Sequence, residues 1–301
     1  MRTSLPAAAA ALTGILLLTA CGTEVAGQPA DTGPTSGARC GFPSDPAARA
    51  SGGVEITRVT GGALGCGTRM PADLPEVGFL VTNHGTEPLT YTVEFTLFGA
   101  SGGAEANGGQ TVVNVAPGRS VRGTAAFAEV LRSVDGGHVG IEKVRSVPAD
   151  EVPVASGTCP PSGVFVTADQ GDAAMGLRVV GLHLRNCSTR PYRVSGFPRI
   201  QLQDLDHKPV TGVRVLHGSG GISTGTGFDL PPHPFTLQPG QAATSGLMWR
   251  NTVTDGTNIN APYARVVAQP GTHAVTVTPE LDLGTTGKLG VSPWQKDDAG
   301  R

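Results

Sequence analysis

The chain has 301 residues, a formal net charge of −2 and only 15% charged residues. No block of basic residues is present, so the composition excludes nucleic acid as a predicted partner, and there is no strongly acidic block either. The 44 glycines and 24 prolines favour a chain of many turns over one of long helices.

The first twenty residues have the pattern of a secretory signal. Arg2 provides a short basic start, and residues 5–20 form an apolar stretch that ends in small residues. This stretch is too short for a comfortable membrane span, although an uncleaved anchor helix is the alternative. We therefore predict a signal peptide over residues 1–20.

The end of this stretch, Leu-Thr-Ala-Cys at residues 18–21, resembles the lipobox of bacterial lipoproteins. The resemblance implies that a diacylglyceryl group is added to Cys21 and that cleavage makes Cys21 the mature N-terminus. Acyl chains of this kind anchor a protein stably, here to the outer face of the cytoplasmic membrane. Residues 21–39 are small and polar, which predicts a disordered tether after the lipidated N-terminus.

The remaining cysteines are even in number, which in an exported chain indicates disulfides. Nearest-neighbour pairing joins Cys40 to Cys66 and Cys159 to Cys187. The sequence has no C-x-x-C spacing, so we predict neither a metal site nor a cofactor.

We predict that the folded part of the chain consists of strands joined by turns. Tyr91, Val93, Phe95 and Leu97 alternate with polar residues, the pattern of a half-buried strand. The other predicted strands are 54–60, 77–83, 110–115, 120–128, 139–147, 163–168, 177–185, 199–205, 210–216, 242–249, 264–268 and 273–278. Residues 125–132 are at most a short turn of helix. Many strands without intervening helices predict an all-β chain of two tandem antiparallel, immunoglobulin-like β-sandwich domains.

A Pro/Ala/Ser-rich stretch marks the boundary between the two domains. We predict a first sandwich over residues 40–146, a linker over 147–158, a second sandwich over 159–295 and a polar tail over 296–301.

The two blocks repeat a pair of turns. An Asn-x-x-Thr-x-Pro motif begins at Asn83 and again at Asn186, and each is followed by a Pro-Gly turn, 34 and 53 residues later to the Pro. Duplication is one explanation, and convergence of turn sequences is the other. Residues 217–234 account for most of the extra length of the second block.

The second block carries the segments LHLRNCSTRPYRVSGFPRIQLQD, FTLQPGQAATSGLMWRNTVTDG and DLGTTGKLGVSPWQ. Together they resemble the actinobacterial domain of unknown function numbered 4232, common in exported lipoproteins. The resemblance implies an exported β domain without naming an activity. Many members have a cysteine where this chain has Tyr192, whereas the nearby cysteine here is Cys187.

The stretch HGSGGISTG, from His217 to Gly225, contains a G-x-S-x-G that could mark a serine nucleophile at Ser223. A nucleophile elbow needs a strand before the serine and a helix after it, and the following glycines and prolines exclude a helix. A second G-x-S-x-G surrounds Ser101, which points to glycine abundance. We therefore interpret this segment as a candidate interaction loop.

The same loop carries Phe228 and Phe235 among prolines. Exposed, the two rings would form an apolar contact surface, whereas packed over the end of a sheet they would cover it, which we favour. Trp249 alternates with Leu247 and is expected in the second core, while Trp294 either packs back or lies exposed.

These observations predict a membrane-anchored cell-envelope lipoprotein that acts as a non-catalytic binding or interaction module. Its partner would be an envelope protein or a glycan. The alternatives are an envelope hydrolase using Ser223 and a purely structural envelope component.

Overall fold

The computed structural model describes residues 40–61, 64, 74–128, 134 and 136–297. The predictions on residues 1–39, on Cys66 and on 298–301 lie outside this part of the chain. Regular structure in the described part is β throughout, apart from one 3-10 turn at Pro46–Arg49. Within these ranges, no helix has the length and apolar character needed to cross a membrane.

The first block forms two antiparallel sheets, with strand orders β1-β2-β3-β6 and β5-β4-β7. Its strands are β1 (Ala50–Ser51), β2 (Val54–Thr60), β3 (Glu76–Thr82), β4 (Leu89–Phe98), β5 (Ala104–Val115), β6 (Ser120–Ala126) and β7 (His138–Pro148).

The core of the first block lies between these sheets and follows the predicted alternation. The apolar residues of β4, from Tyr91 to Leu97, are buried and share one cluster with Val77, Phe79 and Val81 of β3. The rings of Phe79 and Phe95 meet with centroids 5.0 Å apart. Strand pairing and burial therefore select the same face of β4.

The second block contains more and shorter strands. They are β8 (Val164–Ala168), β9 (Asp172–Ala174), β10 (Leu177–Asn186), β11 (Tyr192–Val194), β12 (Arg199–Gln203), β13 (Arg214–His217), β14 (Phe235–Leu237), β15 (Ala242–Arg250), β16 (Ile259–Ala261), β17 (Tyr263–Val267), β18 (Ala274–Val277), β19 (Leu281–Gly284), β20 (Lys288–Val291) and β21 (Gln295–Lys296).

The largest sheet of this block has the order β13-β20-β15-β10-β8, and a second sheet has the order β12-β17-β18. The two short pairs β11-β14 and β16-β19 complete the block. All pairs are antiparallel except β13 with β20, which is parallel, so the prediction of purely antiparallel pairing is wrong at this edge.

Two tryptophans fill the second core. Trp249 is 2% exposed and belongs to the main cluster with Leu247, as predicted. Trp294 is 1% exposed, and its Nε1 donates to the carbonyl oxygen of Ala268 at 3.0 Å. The C-terminal part of the chain therefore packs back onto the block.

The two blocks share a turn built on a buried asparagine. In the first block, Asn83 Nδ2 donates to the carbonyl oxygens of Glu87 at 2.8 Å and Val115 at 2.7 Å. The backbone carbonyl of Asn83 in turn accepts from the N–H of Gly118 at 2.8 Å. One side chain therefore ties the turn after β3 to the end of β5 and to the Pro-Gly turn.

The second block repeats these contacts. Asn186 Nδ2 donates to the carbonyl oxygens of Arg190 at 2.8 Å and Leu237 at 2.9 Å, and its backbone carbonyl accepts from Gly240 at 2.8 Å. Equivalent atoms therefore carry equivalent bonds in the two turns, as both duplication and convergence of the turns would give. The matching Asn83 and Asn186 are both 0% exposed.

A disulfide joins Cys159 to Cys187, with Cα atoms 5.5 Å apart, as the nearest-neighbour pairing predicts. It ties the start of the second block to the turn around Asn186. Cys40 is also disulfide-bonded, but its predicted pairing with Cys66 stays a prediction because Cys66 lies outside the described residues.

Candidate functional site at the joint of the two blocks

The loop over residues 217–234 folds back on the second block. His217 ends β13, and its ring stacks on Phe197 with centroids 4.1 Å apart and planes 1° apart. The carboxylate of Asp229 accepts from the N–H of Ser219 at 2.8 Å, and this bond lowers the pKa of Asp229. Contacts at both ends therefore hold the loop.

Ser223 lies in this loop without the geometry of a nucleophile elbow. It is half-buried, β13 ends six residues earlier, and no helix follows it. Within the described chain, no hydrogen bond joins Ser223 to His217, His233 or Asp229. Ser223 therefore has no histidine or aspartate of this loop in hydrogen-bond contact to act as a general base.

The two phenylalanines of the loop pack against the second block instead of forming an exposed apolar surface, which is the alternative favoured from the sequence. Phe228 is 7% exposed and clusters with Ile222 and Met248, and Phe235 is half-buried against the main core. A Cβ on Gly246 would lie 2.7 Å from Cζ of Phe228, so the glycine leaves room for the ring. The apolar part of the loop surface therefore comes from Leu230, which is 50% exposed, and from the exposed Pro231, Pro232 and Pro234 rather than from the two rings.

The structure points to a second place, where the two blocks meet. Arg145 near the end of β7 makes a two-bond salt bridge to Glu280 of the second block, with Nε–Oε1 and Nη2–Oε2 distances of 2.5 Å. A planar guanidinium matches a carboxylate in this geometry, which fixes orientation as well as charge. The salt bridge therefore fixes the end of β7 against the second block.

Next to this pair, three side chains close the joint. The N–H of Ser146 donates to the hydroxyl oxygen of Tyr263 at 3.0 Å, and Ser146 Oγ lies 3.0 Å from Nε2 of His207. The imidazole of His207 stacks on the Tyr263 ring with centroids 4.8 Å apart. Tyr263 is 1% exposed, whereas Ser146 and His207 are half-buried.

The predicted linker is held against the second block by Glu151. This side chain is 6% exposed, and its carboxylate accepts from Arg265 Nε at 2.7 Å and from Thr276 Oγ1 at 2.6 Å. Burial opposes its ionisation, but the bonds from Arg265 and Thr276 prevail and lower the pKa of Glu151. Its carbonyl also accepts from the Thr276 N–H at 2.8 Å, so the linker lies along β18.

A cleft of about 610 Å³ opens beside this joint. Its lining combines the end of β7, the turn after β12 and the segments around β16 and β19: Arg145, Asp204, Leu205, Asp206, Asn260, Pro262, Glu280, Leu281 and Asp282. Carboxylates outnumber the one guanidinium in this lining. Clefts between packed blocks with a few converging polar groups are common ligand sites.

Asp282 shows how the polar wall of the cleft is fixed. Its carboxylate accepts from Trp249 Nε1 at 2.8 Å and from Asn251 Nδ2 at 3.1 Å, and Arg178 lies 3.2 Å away. Burial opposes ionisation, but the hydrogen bonds, that from Arg178 first, lower the pKa of Asp282. Among the described residues, no group of His, Cys, Asp and Glu side chains is arranged to hold a metal ion.

The sequence did not single out Arg145, Glu151 or Glu280. Their partners lie more than a hundred residues away along the chain, so no local pattern marks them. The one signal is that Arg145 and Glu151 flank the predicted block boundary in a chain with few charges.

Comparison with known proteins adds one finding. No curated protein matches this chain. The second block, over residues 159–295, matches the family model described as Domain of unknown function (DUF4232), so the chain carries a C-terminal DUF4232 domain.

Proposed function

We propose that this protein is an exported, lipid-anchored and non-catalytic binding module of the cell envelope, built from two immunoglobulin-like sandwiches. The lipobox-like sequence ending at Cys21 supports the anchor. The disulfide between Cys159 and Cys187 supports an oxidising compartment outside the cytoplasm.

The observation that carries the binding role is the cleft at the joint. Both sides of it are fixed, by the pair of Arg145 with Glu280 and by the bonds to Asp282, so a ligand would meet positioned groups. Leu205, 60% exposed, supplies an apolar contact at the edge. Three of the four lining carboxylates are paired with a cation, and the remaining one, Asp204, gives the lining a net negative charge that disfavours anions. We assign the cleft a small polar ligand that is neutral or cationic.

The test is a thermal-shift titration of the full chain in detergent with spermidine, tetra-N-acetylchitotetraose and citrate. We expect a saturable rise in Tm with spermidine or the oligosaccharide, and none with citrate. Leu205→Trp should abolish the rise by filling the cleft. Val113→Trp, at a residue 70% exposed on β5 of the first block, is the matched control and should retain it. No rise with either probe, or an equal rise in Leu205→Trp, would overturn the assignment.

A further inference from the structure

The two ring nitrogens of His207, at the joint, have different surroundings. His207 Nε2 lies 3.0 Å from Ser146 Oγ, whereas Nδ1 is buried without a hydrogen-bond partner. The residue also has a left-handed backbone (φ 61°), held by its own N–H donating to the Asp204 carbonyl and by Gln203 Nε2 donating to its carbonyl. The turn therefore has little freedom to give Nδ1 a new partner.

We propose that the contact between the two blocks is acid-sensitive and that His207 is its switching residue. A neutral imidazole with its proton on Nε2 donates to Ser146 Oγ and leaves Nδ1 as an uncharged nitrogen without a partner. A protonated ring carries an N–H on both nitrogens, and the Nδ1–H would then be a buried charged donor without an acceptor. Acid therefore favours a state in which the ring leaves the Tyr263 face and reaches water.

The charges around His207 oppose this effect without reversing it. The carboxylates of Glu87, Asp204, Glu151 and Asp206 all favour the protonated ring. Three of these carboxylates already accept hydrogen bonds from other groups. Asp204 accepts from the N–H groups of Asp206 and Lys208, and Asp206 accepts from the Lys208 ammonium. Glu151 accepts from Arg265 and Thr276.

The remaining charged neighbour from β7, Arg145, is neutralised by Glu280, and Tyr263 stacks on the ring. Burial outweighs the carboxylates, so the pKa of His207 lies below its ordinary value of 6.5. A group with a lowered folded pKa contributes stability that is complete above the ordinary value. That contribution is lost as the pH falls from about 6.5 toward the folded pKa.

The test follows hydrogen exchange of the full chain in detergent at pH 7.5 and 5.0, with rates corrected for intrinsic exchange. The Ser146 amide, which donates to Tyr263, reports the joint, and amides of β10 report the second block. One linked proton changes an opening equilibrium at most about tenfold per pH unit. Protection of the Ser146 amide should therefore be lower at pH 5.0 than at pH 7.5, by up to about thirtyfold for the interval from 6.5 to 5.0, while β10 keeps its protection.

Two variants decide the role of His207. His207→Gln can keep a donor or acceptor near Ser146 Oγ but does not titrate, so its Ser146 protection should not depend on pH. His233→Gln, at an exposed histidine of the loop, should behave as the parent chain. Equal pH dependence in His207→Gln and the parent would overturn the proposal.

An NMR titration of the His207 ring in the parent chain gives an answer that needs no variant. Titration below the ordinary range supports the proposal, and titration at or above it overturns it. This proposal touches the proposed function, because Arg145 and Asp204 line the cleft and loosening the joint would also weaken the binding of a ligand there. The exchange test uses no ligand, so failure of the cleft assignment and failure of the switch are seen separately.

Discussion

At the residue scale, this molecule concentrates its buried polar groups in a few places. Asn83, Asn186 and Glu151 are all nearly inaccessible, and each is satisfied by several hydrogen bonds. A buried polar group costs little while its partners are present and much more once one is removed. These residues are therefore the positions where single substitutions should have the largest and most specific effects.

Asn186→Ala should lower the free energy of unfolding by roughly 2–4 kcal/mol, because the carbonyls of Arg190 and Leu237 lose their donor in a buried site. Asn83→Ala should cost a similar amount if the two turns are equivalent. Urea unfolding measures both, with the exposed Asn258→Ala as control at under about 0.5 kcal/mol. A negligible cost in either variant would contradict the equivalence of the turns.

Glu151→Gln should lower the free energy of unfolding at pH 7 by about 2 kcal/mol. This is below the range for fully buried pairs, because 36% of the Arg265 side chain is exposed. The lowered pKa of Glu151 means that its contribution is present above its ordinary value of 4.5 and is lost as the pH falls through the folded pKa.

The difference between Glu151→Gln and the parent chain should therefore shrink in acid. Unfolding by urea at pH 7 and at a series of values below 4.5 measures this, with the exposed Glu55→Gln as control. A difference that stays constant with pH would show that the charge of Glu151 is not what stabilises the linker.

At the element scale, most long strands could be read from the sequence and most short ones could not, although β5 begins six residues before its predicted start at 110. β2 has the predicted bounds, 54–60, and β10 and β15 differ from prediction by one residue. The short strands β9, β11, β14, β16, β19, β20 and β21 were not predicted. Two to four residues carry too little alternation to be seen, and such strands exist because a neighbouring strand pairs with them.

The loop over residues 217–234 is an element that packing defines. Phe228→Ala should cost about 2–4 kcal/mol by emptying the cluster with Ile222 and Met248. Gly246→Ala should also destabilise, because its Cβ would occupy the position of the Phe228 ring. Thermal unfolding with Leu230→Ala as the exposed control checks this, and a cost in the control equal to that of Phe228→Ala would contradict the packing role.

At the scale of the whole molecule, the described residues form a single compact unit although they contain two large hydrophobic clusters. The salt bridges and the Ser146, Tyr263 and His207 contacts explain why. A linker of Pro, Ala and Ser would by composition allow independent motion, but Glu151 fixes it along β18. The cleft therefore belongs to neither block alone.

The proposed anchor gives a prediction for the whole protein in its cell. Cys21→Ala removes the thiol that would be acylated, so we expect the chain to leave the membrane fraction. Cell fractionation, with and without globomycin-type inhibition of lipoprotein processing, measures this, and Cys159→Ala is a control that removes a disulfide-bonded cysteine instead. Unchanged membrane retention of Cys21→Ala would contradict the lipid anchor.

The sequence by itself determined the all-β class, the long strands, the second-block disulfide and the repeated turns, because each depends on patterns within a short stretch. The tertiary structure alone decided the joint and the cleft, because Arg145 meets Glu280 and Glu151 meets Arg265 across more than a hundred residues. It also decided that Phe228 is buried and that no helix follows Ser223. Contacts between distant residues depend on how the sheets pack, and no local periodicity records them.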